Sequence, residues 1–91
     1  MKKDVLQHYK IKSDSIELDI EIDNTRLLVI YGRHINGYFI ALPGLSLSCE
    51  ALSPEEIKKN TIYLTQTGIR SDYATAICES ICEYWNKLEI E

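Results

Sequence analysis

Residues 16–23 read Ile-Glu-Leu-Asp-Ile-Glu-Ile-Asp, an unbroken alternation of apolar and acidic side chains. Successive side chains on a strand point to opposite faces, so the segment fits a β-strand buried on one side only. Ile16, Leu18, Ile20 and Ile22 then face inward, and everything else must be arranged to cover them. Asn24-Thr25 supplies a turn, and residues 26–35 read as a second strand around Leu27-Leu28-Val29-Ile30-Tyr31. Asn36-Gly37 is the strongest hairpin signal in the chain, because a type I′ turn needs positive φ at both central residues. Tyr38-Phe39-Ile40-Ala41-Leu42 returns as a third strand and stops at Pro43-Gly44.

With two-residue turns at Asn24-Thr25 and Asn36-Gly37, Ile22 faces Leu27, Ile20 faces Val29 and Leu18 faces Tyr31. On the other side Tyr38 faces Ile35, Ile40 faces Arg33 and Leu42 faces Tyr31. One sheet face then collects Leu18, Ile20, Ile22, Leu27, Val29, Tyr31, Ile40 and Leu42. A slip of one residue in the first turn would send strand one to the opposite face.

Beyond Pro43 the pattern changes. Residues 45–49 read as a short fourth strand or a loop. Ser53-Pro54-Glu55-Glu56 has the form of a helix start, with Ser at the N-cap, Pro at the first position and acids beside the dipole's positive end. That helix should be short, since Thr61, Thr65 and Thr67 are poor formers and Gly68 ends the segment. Ser71 is placed to cap a main helix of about Asp72 to Leu88, whose inward stripe is Ala74, Ile77, Cys78, Ile81, Trp85 and Leu88. Glu83 and Lys87 form an outward pair in the favourable order. The expected fold is α+β: an antiparallel meander of three to four strands packed against a C-terminal helix, with a short helix between.

At 91 residues the chain holds one domain, 1–91, with a poorly patterned N-terminus (1–13), a sheet (14–42) and a helical half (53–89). Such a domain buries only about 60% of its unfolded surface, so its core is small. Fourteen acidic against ten basic residues give net −4, which argues against direct nucleic-acid binding. No apolar run approaches a membrane span, and no apolar segment follows Met-Lys-Lys-Asp as a signal peptide would require. The expected setting is the cytoplasm, where three cysteines stay reduced.

Two constellations carry the candidate chemistry. Glu17, Asp19, Glu21 and Asp23 place four carboxylates along one strand face, with neighbours about 6.6–6.8 Å apart. Such a row presents charge to a basic nucleoprotein, or it is a solvated face that keeps an edge strand from aggregating. Cys78 and Cys82 sit one helical turn apart, where two thiolates can share one tetrahedral ion. Cys49 and His34 would complete a structural zinc site, with His8 as an alternative ligand, in a domain whose core is small. Against this stands core packing, which is what free cysteine usually does. No base lies beside a nucleophile in any recognisable motif and no Gly-rich phosphate loop is present, so no enzyme is expected.

Asn36-Gly37-Tyr38-Phe39-Ile40-Ala41-Leu42-Pro43, Ser48-Cys49-Glu50, Asn60-Thr61 and Asp72-Tyr73-Ala74-Thr75-Ala76-Ile77-Cys78 resemble a family of small proteins from phages and mobile elements of Gram-positive bacteria. The likeness runs over residues 28–85 in short words, and departs where that family has an aromatic residue soon after the proline and this chain has Gly44-Leu45. Small acidic proteins of that setting include anti-CRISPR proteins. The resemblance therefore implies an inhibitor that acts in the host bacterial cell. It would bind the type II RNA-guided nuclease stoichiometrically, whose nucleic-acid channel is positively charged, and block DNA binding or cleavage. Two other functions remain open: a zinc-stabilised accessory or regulatory module of a mobile element, and a small hydrolase or redox protein using one cysteine.

Overall fold

The computed structural model describes the backbone of residues 2–12 and 14–90 and the side chains of residues 2–9 and 14–85. Strands β1 (Lys3–Lys12), β2 (Ser15–Ile22), β3 (Thr25–His34), β4 (Gly37–Leu42) and β5 (Leu47–Ala51) form one antiparallel sheet in sequence order. A 3-10 helix at Ile57–Asn60 leads into α1 (Thr61–Gln66), and α2 (Ser71–Ile90) crosses the inner face of the sheet. The α+β class is the one expected. The meander has five strands rather than three to four; of residues 45–49, Leu45 ends a 3-10 turn at Pro43–Leu45 and only Leu47 to Cys49 are strand, the start of β5.

The additional strand is β1, in a segment whose apolar residues, Val5, Leu6, Tyr9 and Ile11, follow no single alternation. Its pairing with β2 shifts register between Val5 and Gln7 and again between Lys10 and Lys12. Each irregularity changes which residues point inward, so apolar periodicity is lost although the ladder continues. Val5 lies opposite Ile20, while the next inward partner, of Leu18, is His8. The imidazole of His8 packs on Tyr84 of α2, with ring centroids 4.8 Å apart. Because β1 covers its outer side, β2 is an interior strand, and its acids do not guard a sheet edge.

Both hairpin turns sit one residue earlier than the sequence suggests. Ile22 pairs with Thr25, Ile20 with Leu27 and Leu18 with Val29, so the first turn is Asp23-Asn24. Both of those residues have positive φ (49° and 68°), the geometry of a type I′ turn. Asp23 fixes this end further: its backbone N–H donates to the Lys2 carbonyl at 2.9 Å, and its carboxylate accepts from the Lys2 N–H at 2.7 Å. In the second hairpin His34 pairs with Gly37, Arg33 with Tyr38 and Tyr31 with Ile40. Ile35-Asn36 is the turn there, and the positive φ falls on Gly37 (149°) instead. Moving a turn by one residue moves each pairing by two, which preserves the face of every side chain. All eight residues assigned to the inner face are accordingly buried, together with Ile16.

The helical half covers that face. Ala74, Ile77, Cys78, Ile81 and Trp85 of α2 are buried as the stripe requires. The side chains of Lys87 and Leu88 lie outside the described residues. Trp85 meets Tyr31 edge-on (5.2 Å, 88°), and Tyr31 stacks on Tyr38 (5.7 Å, 8°). Two expected boundaries change. Ser53 to Glu56 closes a turn, with the Glu56 N–H donating to the Ser53 carbonyl, and winding begins only at Ile57. It begins as 3-10 because that period sets residues three apart on one side, and both Ile57 and Asn60 are buried. At α2 the Ala74 N–H donates to the Arg70 carbonyl, so Arg70 rather than Ser71 holds the capping position. Its guanidinium bonds Asp72 at 2.7 Å and lies 5.0 Å from the Tyr73 ring centre.

Candidate functional site

The outer face of the sheet carries no helix among the described residues. Glu17, Asp19 and Glu21 lie on it in a row, beside half-exposed Leu28, Ile30, Phe39 and Ala41 of the next strands. Asp23 does not extend the row, because it belongs to the turn and is held by Lys2. The row is also partly neutralised. Arg26 of β3 donates from Nε to Asp19 Oδ1 at 3.0 Å and from Nη2 to Oδ2 at 2.6 Å. These charge-assisted bonds, and then the Arg26 charge itself, hold the Asp19 carboxyl below the usual carboxylate range.

A carboxylate held below its unfolded value contributes stability at pH above that value, which is lost as pH falls through the folded one. Arg26→Gln is therefore expected to raise the Asp19 midpoint in an NMR titration and remove that contribution. An unchanged midpoint would show that the fork does not persist in solution.

The thiols are placed differently from a metal centre. Cys49 lies on β5 opposite Ile40, on the inner face of the sheet, and is half-buried. Cys78 is buried beneath it in α2, close enough for the two to interact electrostatically, and Cys82 packs at the edge of the core one turn on. His34 is on the opposite face. It lies 6.2 Å from the Phe39 ring, its Nε2 is 3.5 Å from Glu50 Oε2, and its Nδ1 accepts from the Asn36 N–H at 3.2 Å. With the sheet between them, His34 and the cysteines cannot share an ion. His8, on β1, packs on Tyr84 of α2. Among the described residues no three His, Cys, Asp or Glu side chains gather as a metal group, so the expected Cys49–Cys78–Cys82–His34 set is not assembled.

Burial pushes the Cys78 thiol up to about 11, against the lowering effect of the neighbouring Thr61 hydroxyl, with Cys49 and Glu79 adding to the rise. Burial, then Glu50, also raises Cys49. Neither sulfur is poised as a thiolate nucleophile near neutral pH.

A second surface was not legible in the sequence. Between β5 and α1 lies a cleft of about 420 Å³, lined by Glu50, Ala51, Leu52, Asn60, Tyr63 and Gln66 among others. Leu52, just past the end of β5, has both backbone groups taken by side chains. Its N–H donates to Asn60 Oδ1 at 2.9 Å, and its carbonyl accepts from the Tyr31 hydroxyl at 2.7 Å. Because Oδ1 is committed to that N–H, the amide orientation of Asn60 is fixed. Its Nδ2 is then left buried with no partner among the described residues. A buried unsatisfied donor costs about 1–3 kcal/mol, so this one calls for an explanation.

Residues 4–89 match the family of unknown function DUF6618. The chain belongs to that family. No curated protein and no solved structure matches it. The match spans nearly the whole of this DUF6618 chain, so the acidic face and the β5–α1 cleft both lie within the family's extent. No helix among the described residues is long and apolar enough to cross a membrane. Asn60 is the site residue that sequence reasoning passed over. In sequence it falls within the short helix expected between Ser53 and Gly68, and only the fold brings it to Leu52.

Proposed function

We propose that this DUF6618 protein acts by binding rather than by catalysis, and that its uncovered sheet face docks a basic protein surface. The observation that carries this reading is the juxtaposition on one open face of a carboxylate row (Glu17, Asp19, Glu21) with half-exposed apolar side chains. Apolar contact supplies affinity at such an interface, while charge supplies orientation and rate of encounter. The net charge of −4 and the raised thiols agree with a stoichiometric partner. In its specific form, carried only by the sequence resemblance, the partner is a type II RNA-guided nuclease and the protein is its inhibitor.

The test uses such a nuclease with its guide RNA. Wild-type protein at modest molar excess should bind the complex, reduce DNA cleavage, and lose affinity as salt is raised. Glu17→Gln, Asp19→Asn and Glu21→Gln combined should weaken binding at least tenfold at low salt. Absence of binding to the nuclease removes the inhibitor reading. Equal binding by the triple variant removes the acidic face from any complex that does form.

A further inference from the structure

We propose that the free edge of β5 and the cleft beside it form a docking groove for an extended peptide segment of a partner protein. The segment would add as a sixth strand, with one of its backbone carbonyls accepting from Asn60 Nδ2.

The ladder determines which groups are available. In an antiparallel sheet, alternate residues direct both backbone groups to the same neighbour, and the pair flanking a two-residue turn is hydrogen-bonded. From Ile22–Thr25 and His34–Gly37, this alternation turns Tyr38, Ile40 and Leu42 of β4 toward β5. Their partners Ala51, Cys49 and Leu47 are thereby used. Ser48 and Glu50 point their N–H and C=O groups the other way, where no described element pairs with them. Leu52 is next in that outward series, and there the Asn60 amide takes the place of a strand, accepting from the Leu52 N–H. Its unused Nδ2 lies beside the end of this row of unused backbone groups but is buried, so an incoming carbonyl reaches it only by displacing the cleft wall.

The two sheet edges differ in the way this reading requires. β1 has two irregularities and three lysines in its sequence, devices that discourage strand addition. β5 pairs regularly along its whole length and contains neither lysine nor proline. Beside it α1 presents Tyr63, 48% exposed at the wall of the cleft. The cleft volume falls within the range of ligand sites, about 300–1,000 Å³.

The lining also sets the chemistry of the occupant. Side chains of an added strand alternate between faces. Those turned to the inner side meet Cys49, Ala51 and Tyr63 and should be apolar. The residue beside Glu50, whose carboxylate is 83% exposed on the outer side, should be lysine or arginine. The occupant is thus an extended peptide of alternating apolar and basic residues, and it engages a surface separate from the acidic row on β2.

Selection of a displayed random-octapeptide library on the full chain tests this, followed by titration of the enriched peptides by NMR. The expected result is enrichment of the alternating apolar–basic pattern. Shifts should concentrate at Ser48, Glu50 and the Asn60 side-chain amide. Glu50→Pro removes an outward N–H without touching the β4 ladder and should weaken binding at least tenfold. Glu50→Gln, which keeps the N–H, should weaken it less. A peptide N-methylated at alternate residues, added to the unaltered chain, should lose binding to the same degree, so the test does not depend on any variant folding. The triple variant of the acidic row should bind peptide as wild type does.

The proposal is overturned if no peptide is enriched, if the N-methylated peptide binds equally, or if the Asn60 amide does not move. It is also overturned if wild type sediments as a dimer and Glu50→Pro as a monomer, since a second copy then fills the edge.

Discussion

Trp85→Ala is expected to destabilise the protein by about 3–5 kcal/mol, the usual cost of removing a large aromatic side chain from a core. Trp85 is 6% exposed and provides the edge-on contact between α2 and the Tyr31–Tyr38 stack. Total stability for a chain of this length is of the order of 5–14 kcal/mol, so the loss is a large share of it. The melting temperature should fall by roughly 12 °C or more in a thermal scan followed by circular dichroism. Ile35→Ala provides the control. Ile35 is 97% exposed at a turn, and its removal should change stability by no more than about 0.5 kcal/mol. A loss at Trp85 as small as that at Ile35 would mean that α2 does not pack on the sheet as described.

Gly32→Val is expected to cost about 1–3 kcal/mol, although valine favours strands and glycine does not. Gly32 is an interior strand residue and lies directly opposite Ser15 and Phe39. A Cβ there would stand 2.9 Å from Phe39 Cε1 and 2.9 Å from Ser15 Cβ. The phenyl ring can rotate away, but the Ser15 Cβ is fixed to the backbone of β2. Chemical denaturation should therefore show partial recovery in Gly32→Val with Phe39→Leu, and fuller recovery when Ser15→Gly is added. If Gly32→Val alone is neutral or stabilising, the Phe39 ring does not cover the strand.

What could be read from the sequence follows from which patterns are local. The alternation of residues 16–23 is a property of one strand, and it identifies the inner face without knowledge of any partner. Both turns were displaced by a residue, yet the core survived because parity, not exact pairing, decides burial. β1 escaped notice because its two register shifts erase the parity that would have revealed it. The four-ligand metal set failed for the complementary reason. Spacing along α2 relates Cys78 to Cys82, but only strand parity places His34 on the far side of the sheet from Cys49. The acidic row was legible as a row. Its pairing with Arg26 and the loss of Asp23 to a turn were not, since both depend on the register of a hairpin. Asn60 left no signal, because its role comes from a contact eight residues back across an irregular segment.

Every strand of this sheet pairs only with its neighbours in sequence, so the meander can close hairpin by hairpin as the chain leaves the ribosome. The covering element comes last: α2 starts at Ser71, after the fifth strand is complete. Until it is synthesised, Leu18, Ile20, Val29, Tyr31 and Ile40 line a bare apolar surface with nothing to hide it. The vulnerable interval in the life of the protein is thus late in translation, when a finished sheet waits for its helix. Chaperone engagement and co-translational aggregation should concentrate in nascent chains that end between Ala51 and the middle of α2.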